Sequence, residues 1–231
     1  HFGRLPPSLR AAAQPGAGPA TVTTMAPIDF YFDFASPYGY LVAEKIDALA
    51  TRHGRTVRWH PVLLFAVLRQ LGMPAPMEHA PKRDYMLLDF DRSARHLGVA
   101  YRHPTRFPVI TPLPARLFHA LAQRDPAAAV SFARAAMQAA FQHDQALDDA
   151  DFIVTLATRF DPRDAAALRL AMDGAETRAA LAATIDEAVA RHAFGSPFVI
   201  IDGEPFFGGD RLPQIEARLA GQLAPSTKDP A

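Results

Sequence analysis

The chain has 231 residues, 24 basic side chains balanced by 24 acidic ones, and no cysteine. Such a length buries a sizeable core as one large domain or a domain carrying an insertion, and a net charge of zero supplies no general field for nucleic acid or an anionic membrane. The missing cysteine excludes disulfides, thiolate metal sites, iron–sulfur clusters and a C-x-x-C redox couple, and no apolar run reaches the roughly 18 residues of a membrane span.

Residues 1–24 hold Pro6, Pro7, Pro15 and Pro19 among small residues without apolar periodicity, and methionine first occurs at Met25. They read as a disordered extension or a non-native N-terminus. Arg4 and Arg10 without any acid leave a transit peptide as the alternative. From Ile28 the apolar residues alternate at Ile28, Phe30, Phe32 and Phe34, with Asp29 and Asp33 between them, which predicts a strand. Ser36-Pro37 is an N-cap followed by a residue suited to the first helical turn. Leu41, Val42, Ile46, Leu49 and Ala50 then predict one helix running to Gly54. Val57–Pro61 is a second strand, so residues 28–61 form a β-α-β unit.

From Val62 to His192 the spacing is helical, with helices predicted near 62–71, 82–97, 114–123, 126–142, 149–159, 163–172 and 175–193. Asp125, Asp148 and Asp161 are the expected caps. Phe198–Ile201, the turn pair Asp202-Gly203 and Pro205–Phe207 then read as a hairpin. After Gly208-Gly209, Asp210 stands where it can cap a last amphipathic helix, and the tail from Ala224 to Ala231 reads as flexible. The order is β-α-β, a long helical stretch, then β-β-α. The expected fold is therefore α/β and thioredoxin-like, with residues 25–61 and 194–223 forming that domain and 62–193 an all-helical insertion domain. In such a fold the first helix start and a proline before the third strand face each other across the active site. Those positions are Ser36-Pro37 and Ser196-Pro197, and a cis peptide is expected before Pro197.

Asp29–Leu41 (D-F-Y-F-D-F-A-S-P-Y-G-Y-L), His79–Tyr85 (H-A-P-K-R-D-Y) and Phe194–Leu212 (F-G-S-P-F-V-I-I-D-G-E-P-F-F-G-G-D-R-L) resemble the 2-hydroxychromene-2-carboxylate isomerases, which group with the kappa-class glutathione transferases and the DsbA-like proteins. The resemblance covers about residues 26–222 in matching order. It implies a glutathione-dependent isomerase that converts 2-hydroxychromene-2-carboxylate, or a related aromatic catabolite, to trans-o-hydroxybenzylidenepyruvate by reversible thiolate addition. Ser36 would donate a hydrogen bond to the glutathione thiolate at a helix N-terminus that favours an anion, although a serine-proline pair by itself also reads as a plain cap. Outward-facing N–H and C=O groups of Ser196, before Pro197, would pair with the cysteinyl part of glutathione. Gly209 and Asp210 would hold the γ-glutamyl end, with Asp210 equally suited to capping, and Lys82 would contact the glycine end or the substrate. Phe65, Phe206 and Phe207 are candidates for an aromatic slot, and Lys82 or Arg83 for facing the substrate carboxylate.

Met73 and Ile110 stand where relatives commonly carry asparagine, and both changes make the expected site more apolar. The resemblance further implies a cytoplasmic homodimer with a small aromatic carboxylate as partner and no nucleic acid or membrane. A kappa-like transferase or peroxidase using the same Ser36 is the alternative enzyme, and a non-catalytic DsbA-like peptide-binding protein the alternative of another class. The nine histidines lack H-x-x-x-H or H-E-x-x-H spacing, Asp148, Asp149 and Asp151 read as a capping cluster, and no G-x-S-x-G, G-x-G-x-x-G or P-loop occurs. No metal is expected.

Overall fold

The computed structural model describes residues 25–226, so the expected extension at 1–24 and most of the C-terminal tail lie outside the described residues. Strand β1 (Ile28–Phe32) is central. It pairs in parallel with β2 (Val57–Pro61), Phe30 opposite Trp59, and antiparallel with β3 (Phe198–Ile201), Phe30 opposite Val199. Strand β4 (Glu204–Phe207) closes the order β2-β1-β3-β4. A parallel pair needs a crossover, supplied here by α1 (Pro37–Ala43) and α2 (Ile46–Arg52). The hairpin turns on Asp202 (φ 51°) and Gly203 (φ 88°), both in the region a type I′ turn requires, and the Asp202 carboxylate accepts from Arg55 at 2.8 Å.

The first helix differs from the expectation. The single helix predicted from Pro37 to Gly54 breaks at Glu44-Lys45, where Lys45 N–H donates to Val42 O, and the turn lets α2 present Asp47 to Trp59 Nε1 at 3.2 Å and to Arg134. The alternation in β1 does not mark an open face, because all five residues are buried. Asp29 sits under Arg191, just beyond α9 (Ala175–Ala190), and accepts from Arg191 at 2.6 Å, Arg58 at 2.7 Å and His60 at 2.9 Å. Tyr31 stacks on His60 and donates to Glu187 of α9 at 2.9 Å. The other face presents Phe30 and Phe32 edge-on to Trp59.

Between β2 and β3 lie α3 (Leu64–Gln70), α4 (Ala80–Leu97), α5 (Pro112–Ala122), α6 (Pro126–His143), α7 (Ala150–Ala157), α8 (Ala165–Met172) and then α9. Asp125 caps α6 as expected, accepting from Ala127 and Ala128 N–H. The caps of α7 and α8 are Asp149 and Asp164 rather than Asp148 and Asp161, because Asp148 is taken by Arg106 and Asp161 by the backbone and guanidinium of Arg163. Helix α4 buries only Phe90 and Ala94 and stands as a wall at the edge of the molecule. Apolar residues of the sheet and of these helices pack in one contiguous cluster. The chain ends its regular structure with a 3-10 turn (Gly209–Arg211) and α10 (Leu212–Leu219).

Candidate functional site

Ser36 ends the β1–α1 loop with extended backbone, and its Oγ accepts Gly39 N–H at 3.0 Å, a side-chain cap for α1. The same hydroxyl donates to the backbone carbonyl of Ser196 at 2.7 Å. Ser196 Oγ in turn accepts the Asp33 N–H at 2.8 Å, so the two serines cross-link the start of α1 to the segment before β3. Gly39 is required at this junction, since a Cβ there would lie 2.7 Å from Ser196 Oγ and 3.2 Å from Ser36 Oγ. The peptides before Pro197 and Pro108 are both cis.

The sequence reading placed Ser196 N–H and C=O outward and unpaired. That is corrected for the carbonyl, which holds the Ser36 proton, while the N–H has no partner among the described residues. The start of α1 offers fewer free amides than the sequence suggested. Helix α1 has only seven residues, its first carries no N–H because it is Pro37, and the Gly39 N–H is spent on Ser36. The Tyr38 N–H is the one amide of that first turn left without a partner among the described residues, and the Ser36 proton is held by Ser196 O.

Beneath Ser36, the Asp33 carboxylate is fully buried. It accepts Ala35 N–H at 2.9 Å, Leu64 N–H at 2.7 Å and Thr111 Oγ1–H at 2.8 Å, joining the β1–α1 loop to the starts of α3 and α5. Burial pushes its carboxyl above the ordinary range, and those three donors restrain the rise.

Ser36 and Ser196-Pro197 open on a cleft of about 570 Å³ between α1, α3, α4 and the β4–α10 turn. Lys82, Gly209 and Asp210 also line it, so all six residues singled out in the sequence border one cavity. Lys82 makes no ion pair among the described residues. Asp210 lies in the 3-10 turn and pairs with Arg211 at 3.2 Å. It does not cap α10, whose cap position is Arg211 without a side-chain bond. Gly208 (φ 110°) allows this turn, because a Cβ there would meet Asp210 Oδ1 at 2.6 Å, and its N–H donates to Pro197 O at 3.3 Å.

Phe65 and Phe207 line the cleft, whereas Phe206 is buried in the core. Met73 also lines it, so this departure makes the wall apolar as expected; Ile110 is exposed outside the lining, and its change leaves the cleft untouched. Arg83 turns away to Asp84. Sequence reasoning missed Tyr38 and Asp89. Tyr38, two residues after Ser36, packs edge-on against Phe90 and donates to Asp89 Oδ2 at 2.6 Å. Asp89 also binds Arg92 and Ser93. Burial first, then the hydrogen bond to Asp89, pushes the Tyr38 phenol far above its ordinary value, and that bond ties α1 to α4. The S-P-Y motif was a signal for Tyr38; no local pattern marked Asp89.

A 2-hydroxychromene-2-carboxylate isomerase of Sphingobium xenophagum is 29% identical over 214 residues, covering 83% of this chain and 97% of the relative. A kappa-class glutathione transferase of Caenorhabditis elegans is 26% identical over 205 residues, covering 84% and 91%. A solved 2-hydroxychromene-2-carboxylate isomerase superposes with a TM-score of 0.73 at 23% identity, over 85% of this chain and 95% of that one. The family model of the DSBA-like thioredoxin domain matches residues 27–220, which contain both serines, the cleft and every strand, and the chain belongs to that family.

Proposed function

We propose that this protein is a glutathione-dependent isomerase acting on 2-hydroxychromene-2-carboxylate or a related aromatic carboxylate. The observation that carries the reading is the Ser36–Ser196 pair at 2.7 Å on the edge of an apolar cleft, in a chain without any cysteine of its own. The residues fit glutathione: a hydroxyl donor at Ser36, a backbone edge at Ser196, a cation at Lys82, and a carboxylate at Asp210 for an ammonium. When bound, glutathione supplies the thiolate that adds to the conjugated substrate and leaves after bond rotation.

The chain's residues supply the rest. Ser36 holds the sulfur as an anion by donating one charge-assisted hydrogen bond, worth about 1.5–3 kcal/mol, or roughly one to two pKa units off a free thiol. The thiol proton passes to solvent. Lys82, exposed at the border of the cleft, attracts the substrate carboxylate by its charge. Phe65, Phe207 and Met73 exclude water and receive the aromatic ring.

Calorimetry combined with thiolate absorbance tests this reading. Glutathione is expected to bind and to show thiolate at neutral pH, and Ser36→Ala to bind with the thiolate lost and isomerisation reduced about ten- to a hundredfold. Absence of binding at about millimolar glutathione, in the weak range of the affinity scale, would refute it. A kappa-type transferase is the second reading, favoured by Met73 in the wall, where an apolar side chain suits a broader range of electrophiles. Conjugation of aromatic halides without chromene turnover would select it.

A further inference from the structure

The Ser36 hydroxyl carries a single proton, and that proton lies on the Ser196 carbonyl at 2.7 Å; since a carbonyl only accepts, the direction is fixed. One lone pair of the same oxygen accepts Gly39 N–H. Ser36 therefore cannot add a hydrogen bond to an arriving sulfur. It must withdraw the one it makes. Ser196 is only 6% exposed and borders the cleft, so under a ligand that fills the cleft a carbonyl abandoned by Ser36 is cut off from water and carries the penalty of an unpaired buried acceptor. Among the first-turn donors of α1, Pro37 has no N–H, the Gly39 N–H is committed, and the Tyr38 N–H makes no bond to Ser196 O.

We propose that sulfur activation here is an exchange: an amide N–H of the ligand takes over Ser196 O, which releases the Ser36 proton to the ligand's sulfur. The carbonyl has two lone pairs and accepts both donors in passing, so it is never left bare during the exchange. The consequence is selectivity among thiols. A thiol carrying an amide N–H placed as in a cysteinyl peptide is ionised, whereas a thiol of similar size without that N–H leaves Ser36 on Ser196 O and stays protonated. This rests on the glutathione reading and deepens it, by making the peptide backbone of the cofactor a condition for activating its sulfur.

The test compares glutathione with its depsipeptide analogue, in which an ester oxygen replaces the cysteinyl N–H with little change of size and none of charge. Each is bound to the full chain at saturation and its thiolate absorbance is titrated against pH. Glutathione is expected to ionise readily, and the bound ester analogue to show a thiolate fraction about ten- to a hundredfold lower at the same pH, with affinity reduced by no more than about a hundredfold, because one hydrogen bond is exchanged. An ester analogue that ionises as glutathione does would overturn the exchange and leave the glutathione reading standing. Loss of its binding beyond that range would overturn it too, since the N–H would then govern docking rather than activation. Failure of glutathione itself to bind would remove both.

Discussion

Gly39 shows how much of the site depends on a single atom that is not there. Ser36, Gly39 and Ser196 pack so closely that a methyl group has nowhere to go, and the obstacle is the pair of hydroxyls that form the site. Gly39→Ala is expected to cost about 1–3 kcal/mol of stability through overpacking, and to separate Ser36 Oγ from Ser196 O. Denaturant unfolding checks the first effect. Glutathione binding by calorimetry checks the second, with unchanged binding counting against the described junction. Ser36 was legible as a cap because an N-cap serine before proline has a local signature, and as a site residue only through the resemblance of the longer segment Asp29–Leu41. Asp33 was not, beyond its place in a strand pattern, because two of the groups it anchors, Leu64 N–H and Thr111 Oγ1, come from 31 and 78 residues away.

At the level of elements, the covered face of β1 matters as much as the aromatic one. Burial alone would push the Asp29 carboxyl up, but hydrogen bonds from His60, Arg191 and Arg58 outweigh it and hold the group below its ordinary value of 3.8. A depressed carboxyl contributes stability that is present above the unfolded pKa and is lost as pH falls through the folded one. Arg191→Ala is thus expected to destabilise the protein by about 1–3 kcal/mol near neutral pH, between an exposed pair and a fully buried one, because Arg191 is partly exposed. The difference from the parent chain should shrink once Asp29 is protonated. Urea unfolding at about pH 7 and about pH 3 measures both values; a difference that grows in acid would show that Arg191 does not act through Asp29. The alternation of β1 was visible in sequence, yet it could not say whether the second face meets water or α9, because period two records only that the faces differ.

Across the whole molecule, the apolar cluster runs without a break from Phe30 and Trp59 through Phe118 and Phe132 to Leu168 and Ile185. The helices between β2 and β3 thus share their burial with the sheet. Calorimetric unfolding is expected as one cooperative transition in which sheet and helices melt together, and glutathione at about 100 times its dissociation constant is expected to add about 2.7 kcal/mol. Two resolved transitions would instead show residues 62–193 to be an independently folding unit.

The sequence by itself determined the order of strands and helices, the thioredoxin-like arrangement and the six residues that border the cleft. The order and arrangement are written in local periodicity and capping residues, and the six residues were singled out by the resemblance carried by the longer segments Asp29–Leu41, His79–Tyr85 and Phe194–Leu212. Only the tertiary structure decided which of two neighbouring aspartates caps a helix, where the first helix breaks, that Met73 faces the cleft while Ile110 does not, and that the Ser36 proton rests on Ser196. Each of these depends on competition between partners far apart in the chain. A hydroxyl with one proton or a carboxylate with two oxygens serves whichever partners folding brings within about 3 Å.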